Sequence, residues 1–167
     1  MASTLNAPIS KTVNVISAEE LLLRWQRNRR LTRRVIDAFP EDKLFHFSVG
    51  GMRPFSVLAI EFLKMAVPVV EGVATGKWGS KWDGGPAPET KAELLKLWDE
   101  ATDEINDAWS KIPADRFAEK DKAFGMWEDT GINIILYAFE NEIHHRGQGY
   151  VYLRALGIEP PAFYDPS

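Results

Sequence analysis

Apolar residues recur at intervals of three and four along four segments of this chain, which is the spacing of one face of an α-helix. The first segment follows Ser17, which forms a capping-box pattern with Glu20, and it ends before Pro40. The second segment begins near Pro54 and runs towards Gly72. No comparable run of alternating apolar and polar residues predicts β-strands.

The third segment has the clearest amphipathic pattern of the four. It opens at a second capping box, formed by Thr90 and Glu93, and it ends before Pro113. Its predicted inner face contains Leu94, Trp98, Ala101, Ile105, Ala108 and Ile112. This pattern predicts a helix that buries one face in a helical core.

The fourth segment, residues 132–156, contains no proline. Its predicted inward face contains Ile134, Ala138, Asn141, His145, Gln148, Tyr152 and Leu156. Long connections at residues 72–88 and 114–129 separate the last three helices. The pattern therefore predicts an all-α fold, a four-helix bundle with a long crossover connection.

The length of 167 residues fits one domain, which we expect to span residues 1–167, with residues 1–16 as an extended N-terminal segment. No stretch approaches the roughly 20 apolar residues that a membrane helix needs. The first residues also lack the basic start and apolar core of a secretory signal. We therefore expect a cytoplasmic protein that makes no membrane contact.

The charge of the chain argues against nucleic acid as a partner. The formal net charge is -4 and the isoelectric point is near 5.4, so the molecule as a whole does not attract polyanions. The arginines of the first helix favour a solvated or inter-subunit face; they are Arg24, Arg27, Arg29, Arg30, Arg33 and Arg34. The absence of cysteine excludes thiolate metal ligands and a cysteine nucleophile.

The fourth helix concentrates the candidate chemistry, because residues 140–148 contain two of the three histidines, two acids and an arginine. On a helix, His144 is rotated by about 100° from His145, so we expect it on another side, at the surface or in a contact between helices or subunits. Arg146 follows Glu142 by four residues, which is the spacing of an ion pair along a helix.

The run HHRGQ at residues 144–148, with YVYLR at 150–154 and GIEPP at 157–161 after it, resembles the C-terminal signature of the DinB-like (DinB/YfiT) superfamily. The run GMRPF at residues 51–55 is similar to the family's entry into its second helix. The resemblance implies a four-helix bundle with a crossover, a homodimer, and a divalent metal, often nickel or zinc, held by three histidines. Family relatives include thiol-dependent transferases and isomerases.

Only the last of the three family histidines is retained, as His145. The position four residues earlier is Asn141, and the position on the second helix is Glu61. The resemblance thus implies a metal site of Glu61, Asn141 and His145, in which Glu61 and His145 are also the candidate catalytic acid and base. Because an asparagine amide is a weak neutral donor, a metal-free hydrogen-bonded cluster of the same residues is the alternative.

These residues predict a DinB-like protein with an altered divalent-metal site, related to thiol-dependent transferases or hydrolases that act on small molecules. The sequence does not identify the substrate. The alternative function is a non-enzymatic binding or stress-response module, in which the site has become a metal-free polar cluster.

Overall fold

The structure, a computed structural model, describes residues 15–79 and 86–165 of the chain. Its elements, in chain order, are α1 (Ala18–Ala38), α2 (Glu41–His46), α3 (Phe55–Thr75), α4 (Lys91–Trp109), a 3-10 turn (Ala114–Phe117), β1 (Lys120–Ala123), β2 (Trp127–Thr130) and α5 (Gly131–Ala155). The predicted all-α fold is confirmed. Of the expected extended segment at 1–16, residues 1–14 lie outside the described residues. None of the described helices has the length and apolar content needed to cross a bilayer.

Both predicted capping boxes are present. At the start of α1, the Ser17 hydroxyl accepts from the Glu20 amide at 3.1 Å, and the Glu20 carboxylate accepts from the Ser17 amide at 2.9 Å. Thr90 and Glu93 make the same reciprocal pair at the start of α4, at 3.2 and 3.1 Å. These bonds satisfy amides that a helix leaves unpaired at its first turn, so they fix where α1 and α4 begin.

The four long helices form a closed ring in the order α1, α4, α3, α5. α3 packs against α4 and α5, and α1 packs against the same two helices. α1 and α3 are therefore diagonal to each other, as are α4 and α5. The long connection after α3 leads to α4, which is its neighbour in the ring. Along the chain, α2 connects the diagonal helices α1 and α3, and the 3-10 turn and the hairpin connect the diagonal helices α4 and α5.

The core fills the space inside this ring and is rich in aromatic side chains. Trp25 of α1 and Trp98 of α4 are both at most 1% exposed, and they are the largest side chains in it. Phe62 of α3 packs edge-on against Trp98, with ring centroids 6.2 Å apart, and it stacks on His145 of α5 at 6.0 Å. This ring contact ties the core to the predicted site.

Two elements were not predicted from the sequence, the short helix α2 and the β1–β2 hairpin. The hairpin pairs Lys120 with Thr130 and Ala123 with Trp127 in antiparallel register. Only Ala123 in the two strands is fully buried, and charged residues dominate the rest. Four-residue strands of this composition have too few apolar positions to show a period of two.

Candidate functional site

The buried face of α5 includes Ile134, Ala138 and Tyr152 as predicted, but in the middle of the helix it is centred one residue later than predicted. Glu142 and Arg146 are buried, whereas Asn141, His145 and Gln148 are half-buried. A shift of one residue rotates a helical face by about 100°. Asn141 and His145 therefore lie at an edge of the buried face, and His145 packs against α3 through Phe62.

Glu61 and His145 come together across the contact between α3 and α5. Glu61 Oε1 lies 3.6 Å from His145 Nε2, and the two side chains are 30% and 14% exposed. This distance is longer than a hydrogen bond between nitrogen and oxygen. The sequence-derived pair is thus adjacent without being hydrogen-bonded.

The other side of the His145 ring is held by Gln148, whose Oε1 lies 2.9 Å from Nδ1. An amide oxygen only accepts, so in this contact Nδ1 carries the proton. In the neutral ring, Nε2 then has a free lone pair, and this lone pair faces the carboxylate of Glu61. Two acceptors that face each other leave room for a cation between them.

Asn141 lies one helical turn before His145 on α5. Its Oδ1 is buried and has no hydrogen-bond partner. An unpaired buried acceptor costs about 1–3 kcal/mol. Glu61, His145 and Asn141 carry a carboxylate, an imidazole and an amide oxygen, which are types of ligand that divalent cations accept.

Within residues 15–79 and 86–165, no group of three His, Asp or Glu side chains is arranged to hold a metal. Arg53 precedes α3, and the sequence motifs indicate no role for it. Its guanidinium donates to Glu61 Oε2, and its carbonyl accepts from the Tyr152 hydroxyl at 3.1 Å. Arg53 therefore orients the Glu61 carboxylate and partly neutralises its charge, while Oε1 remains directed at His145.

A second polar group lies deeper in the bundle, and we call it the Glu142 cluster; it comprises Trp25, Asn28, Arg29, Thr32, Glu142 and Arg146. The Glu142 carboxylate accepts from Trp25 Nε1 at 3.1 Å and from Thr32 Oγ1 at 2.6 Å. Arg29 Nη1 lies 3.7 Å from it and makes no hydrogen bond. Arg29 and Glu142 are each 1% exposed, so this is a fully buried ion pair.

Arg29 contradicts its assignment to a solvated or inter-subunit face. Its guanidinium lies 4.1 Å over the Trp98 ring, donates to Thr102 Oγ1 at 2.8 Å and to the Trp98 carbonyl at 3.1 Å. Burial lowers the pKa of Arg29 to about 10, against the opposing effect of Glu142, so the group stays charged at neutral pH. The buried position of Arg29 could have been predicted from the sequence, because Leu21, Trp25 and Arg29 share one face of α1.

Arg146 donates mainly to α1 and not directly to Glu142. It donates to the Asn28 side chain at 2.8 Å, to the Asn28 carbonyl at 3.1 Å and to Thr32 Oγ1 at 3.2 Å. Thr32 therefore links Arg146 to Glu142, which replaces the expected pair along the helix. His144 is exposed, as expected for a surface residue.

The comparisons with known proteins agree with this architecture. Residues 89–167 match the model of the DinB family. The fold is similar to the crystal structures of DinB-like proteins from Bacillus subtilis, with a TM-score of 0.72 and 18% identity, and from Bacillus cereus ATCC 10987, with 0.71 and 19%. Each similarity covers 87% of this chain and 97% of the other. No curated protein matches the sequence. The second half of the chain is thus similar to the DinB family, and the chain shares the fold of the DinB-like proteins.

Proposed function

We propose that this protein binds one divalent metal ion, nickel or zinc, with Glu61, Asn141 and His145. The observation that carries the proposal is the pair of acceptors that face each other at 3.6 Å, Glu61 Oε1 and His145 Nε2, with no proton between them in the tautomer that Gln148 holds. The buried and unpaired Oδ1 of Asn141 supports it. A bound cation satisfies all three atoms at once.

The surroundings of these donors support the same proposal. Proteins of the DinB family generally bind a metal. A histidine that binds a metal usually donates its other ring N–H to a fixed acceptor, as His145 does to Gln148. Ligating carboxylates are hydrogen-bonded in turn, as Glu61 is to Arg53. Imidazole and oxygen donors suit nickel and zinc.

We infer the activity from the family resemblance: transfer of a group to a low-molecular-weight thiol, or hydrolysis, of a small molecule. When bound, the metal supplies Lewis-acid chemistry, which activates water or a thiol at neutral pH. Gln148 keeps the proton on Nδ1 of His145, and Arg53 keeps Glu61 Oε1 directed at the site. A homodimeric state and a cytoplasmic location are part of the same proposal and rest on the resemblance and the sequence.

One contact favours the second candidate function, a non-enzymatic binding or stress-response module with a metal-free cluster. The Arg53 guanidinium already supplies a positive charge to Glu61. A carboxylate that is neutralised by an arginine has less need of a metal ion. In that case the polar cluster joins α3 to α5 and carries out no chemistry.

Elemental mass spectrometry of the untagged protein separates the two functions. We expect close to one nickel or zinc per chain in the natural protein and almost none in His145→Ala. His144→Ala is the matched control, because His144 is the exposed neighbour of His145, and it should keep the metal. Absence of metal from the natural protein, or equal metal in His144→Ala and His145→Ala, would support the non-enzymatic alternative.

Asn141→His is expected to raise zinc or nickel affinity by at least about tenfold, because imidazole is a far stronger ligand than an amide oxygen. Titration calorimetry with zinc chloride measures the change. Arg154→His is the control, since it adds a histidine to the exposed last turn of the same helix. An equal affinity in the two variants would mean that the side chain at position 141 does not reach the site.

A further inference from the structure

A cleft of about 460 Å³ opens between β2 and the first half of α5. It is lined by Trp127, Asp129, Asn133, Leu136, Tyr137 and Glu140. We propose that this cleft binds an organic cation, a small molecule with a quaternary ammonium head group. The proposal does not depend on the metal site, because none of the proposed ligands lines the cleft.

Two aromatic rings form the first part of the argument. The Trp127 and Tyr137 rings have centroids 5.5 Å apart and planes tilted by 57°. Tyr137 is 51% exposed although it is a large aromatic residue, and Trp127 is fixed from behind by Phe124 at 6.0 Å. The negative face of such rings attracts ammonium ions, and tryptophan is the strongest of the aromatic residues in this role.

Two carboxylates, Asp129 and Glu140, form the second part. Asp129 Oδ1 accepts from Asn133 Nδ2 and from the Thr130 amide, both at 2.7 Å. These hydrogen bonds, led by that from Asn133, hold the pKa of Asp129 below its usual value. The carboxylate is therefore charged at neutral pH, and its position in the cleft is fixed.

None of the described residues that line the cleft is basic, and two of them are acidic, so their combined charge is negative. Lys120 of the hairpin pairs with Thr130 across the strands, and its charge also lowers the pKa of Asp129. Its ammonium lies 3.7 Å from Glu128, outside the lining residues. A negative cleft with aromatic walls selects a cation whose charge is spread over apolar methyl groups, because such an ion loses little hydration on binding.

The size of the cleft matches a small ligand. Binding sites for small molecules commonly have volumes of about 300–1,000 Å³. Choline is small enough to enter a cleft of about 460 Å³ and carries a trimethylammonium group, so it is a suitable probe. Its neutral isostere, 3,3-dimethylbutanol, has the same shape without the charge.

The test is a titration of the full chain with choline chloride, followed by the chemical shifts of backbone amides. We expect the amides of residues 127–140 to shift, and 3,3-dimethylbutanol to bind at least about tenfold more weakly. Equal binding of the two probes, or shifts that lie elsewhere, would overturn the proposal. Unchanged choline binding in His145→Ala would show that the cleft is independent of the metal site.

Substitutions of Tyr137 test the role of the ring. Tyr137→Leu should weaken choline binding by about tenfold, while Tyr137→Phe, which retains the aromatic face, should bind within about twofold of the natural protein. Phe163→Leu removes an aromatic residue that is 74% exposed elsewhere and serves as the matched control. Equal weakening by Tyr137→Phe and Tyr137→Leu would contradict a contact between the cation and the ring.

Discussion

Glu142→Ala is expected to lower the free energy of unfolding by about 3–5 kcal/mol, because removal of one partner from a buried ion pair leaves the other charge uncompensated. Arg29 is 1% exposed and keeps its charge at neutral pH, since its pKa is lowered only to about 10. The substitution also removes the acceptor of Trp25 Nε1 and Thr32 Oγ1. The Trp25 and Thr32 donors then lose their acceptor, and the guanidinium groups of Arg29 and Arg146 lose the negative charge beside them.

Chemical denaturation at neutral pH, followed by circular dichroism, measures this loss. Glu140→Ala is the matched control, because Glu140 lies on the exposed side of the same helix, and it should change stability by no more than about 0.5 kcal/mol. Glu142→Ala combined with Arg29→Met should recover part of the loss, since no charge at position 29 then needs compensation. A loss below about 1 kcal/mol in Glu142→Ala would contradict the buried pair.

Gly131→Ala is expected to destabilise the protein by about 1–3 kcal/mol, because the added methyl group has no room. A Cβ atom at this position would lie 2.2 Å from the Arg116 carbonyl oxygen and 3.0 Å from Val73 Cγ1. The backbone cannot move away freely, since the Gly131 amide donates to the Glu119 carbonyl at 3.0 Å. Gly131 thus allows the 3-10 turn and the start of α5 to pack closely.

Gly147→Ala provides the matched control in the same helix. Apart from its chain neighbours and the backbone of its own helix, a Cβ atom at position 147 would meet no atom of the described residues within 4 Å. Because alanine favours the helix over glycine, this variant should gain about 0.5–1 kcal/mol. Thermal unfolding of the two variants should therefore shift in opposite directions. Equal unfolding temperatures for the two variants would mean that the start of α5 has room for a methyl group at position 131.

The helices could be predicted because their signals are local. Ser17 and Thr90 mark helix starts through bonds to residues three positions along the chain, so the sequence alone contains both partners. The inward face of α5 was predicted correctly at both ends of the helix, but in the middle it was predicted one residue too early, at Asn141 and His145. Polar residues occur on both sides of this helix, and only the packing of α1 shows that Glu142 and Arg146 are the buried ones.

The residues of the candidate site also fall into two groups, those that sequence motifs indicate and those whose role depends on the fold. The resemblance identified Glu61 and His145 by their positions in motifs, and α3 and α5 bring them together. The role of Arg53 depends on how the loop before α3 directs its side chain towards Glu61, which no spacing rule supplies. Arg29 was assigned to a solvated or inter-subunit face because the arginines spread around α1 and the chain as a whole is acidic. Its partner Glu142 lies on the last helix, so no local pattern indicates the buried pair.

The ring order of the bundle has a consequence for how the chain reaches its native state. α1 packs chiefly on α4 and α5, both of which belong to the second half of the sequence. During synthesis, α1 therefore cannot complete its packing before α5 is made. The ion pair between Arg29 and Glu142 forms only after nearly the whole chain has been synthesised. Contacts between residues that are distant in the sequence slow folding, and we expect an N-terminal fragment that ends before α4 to have no stable fold, because it lacks both helices on which α1 packs.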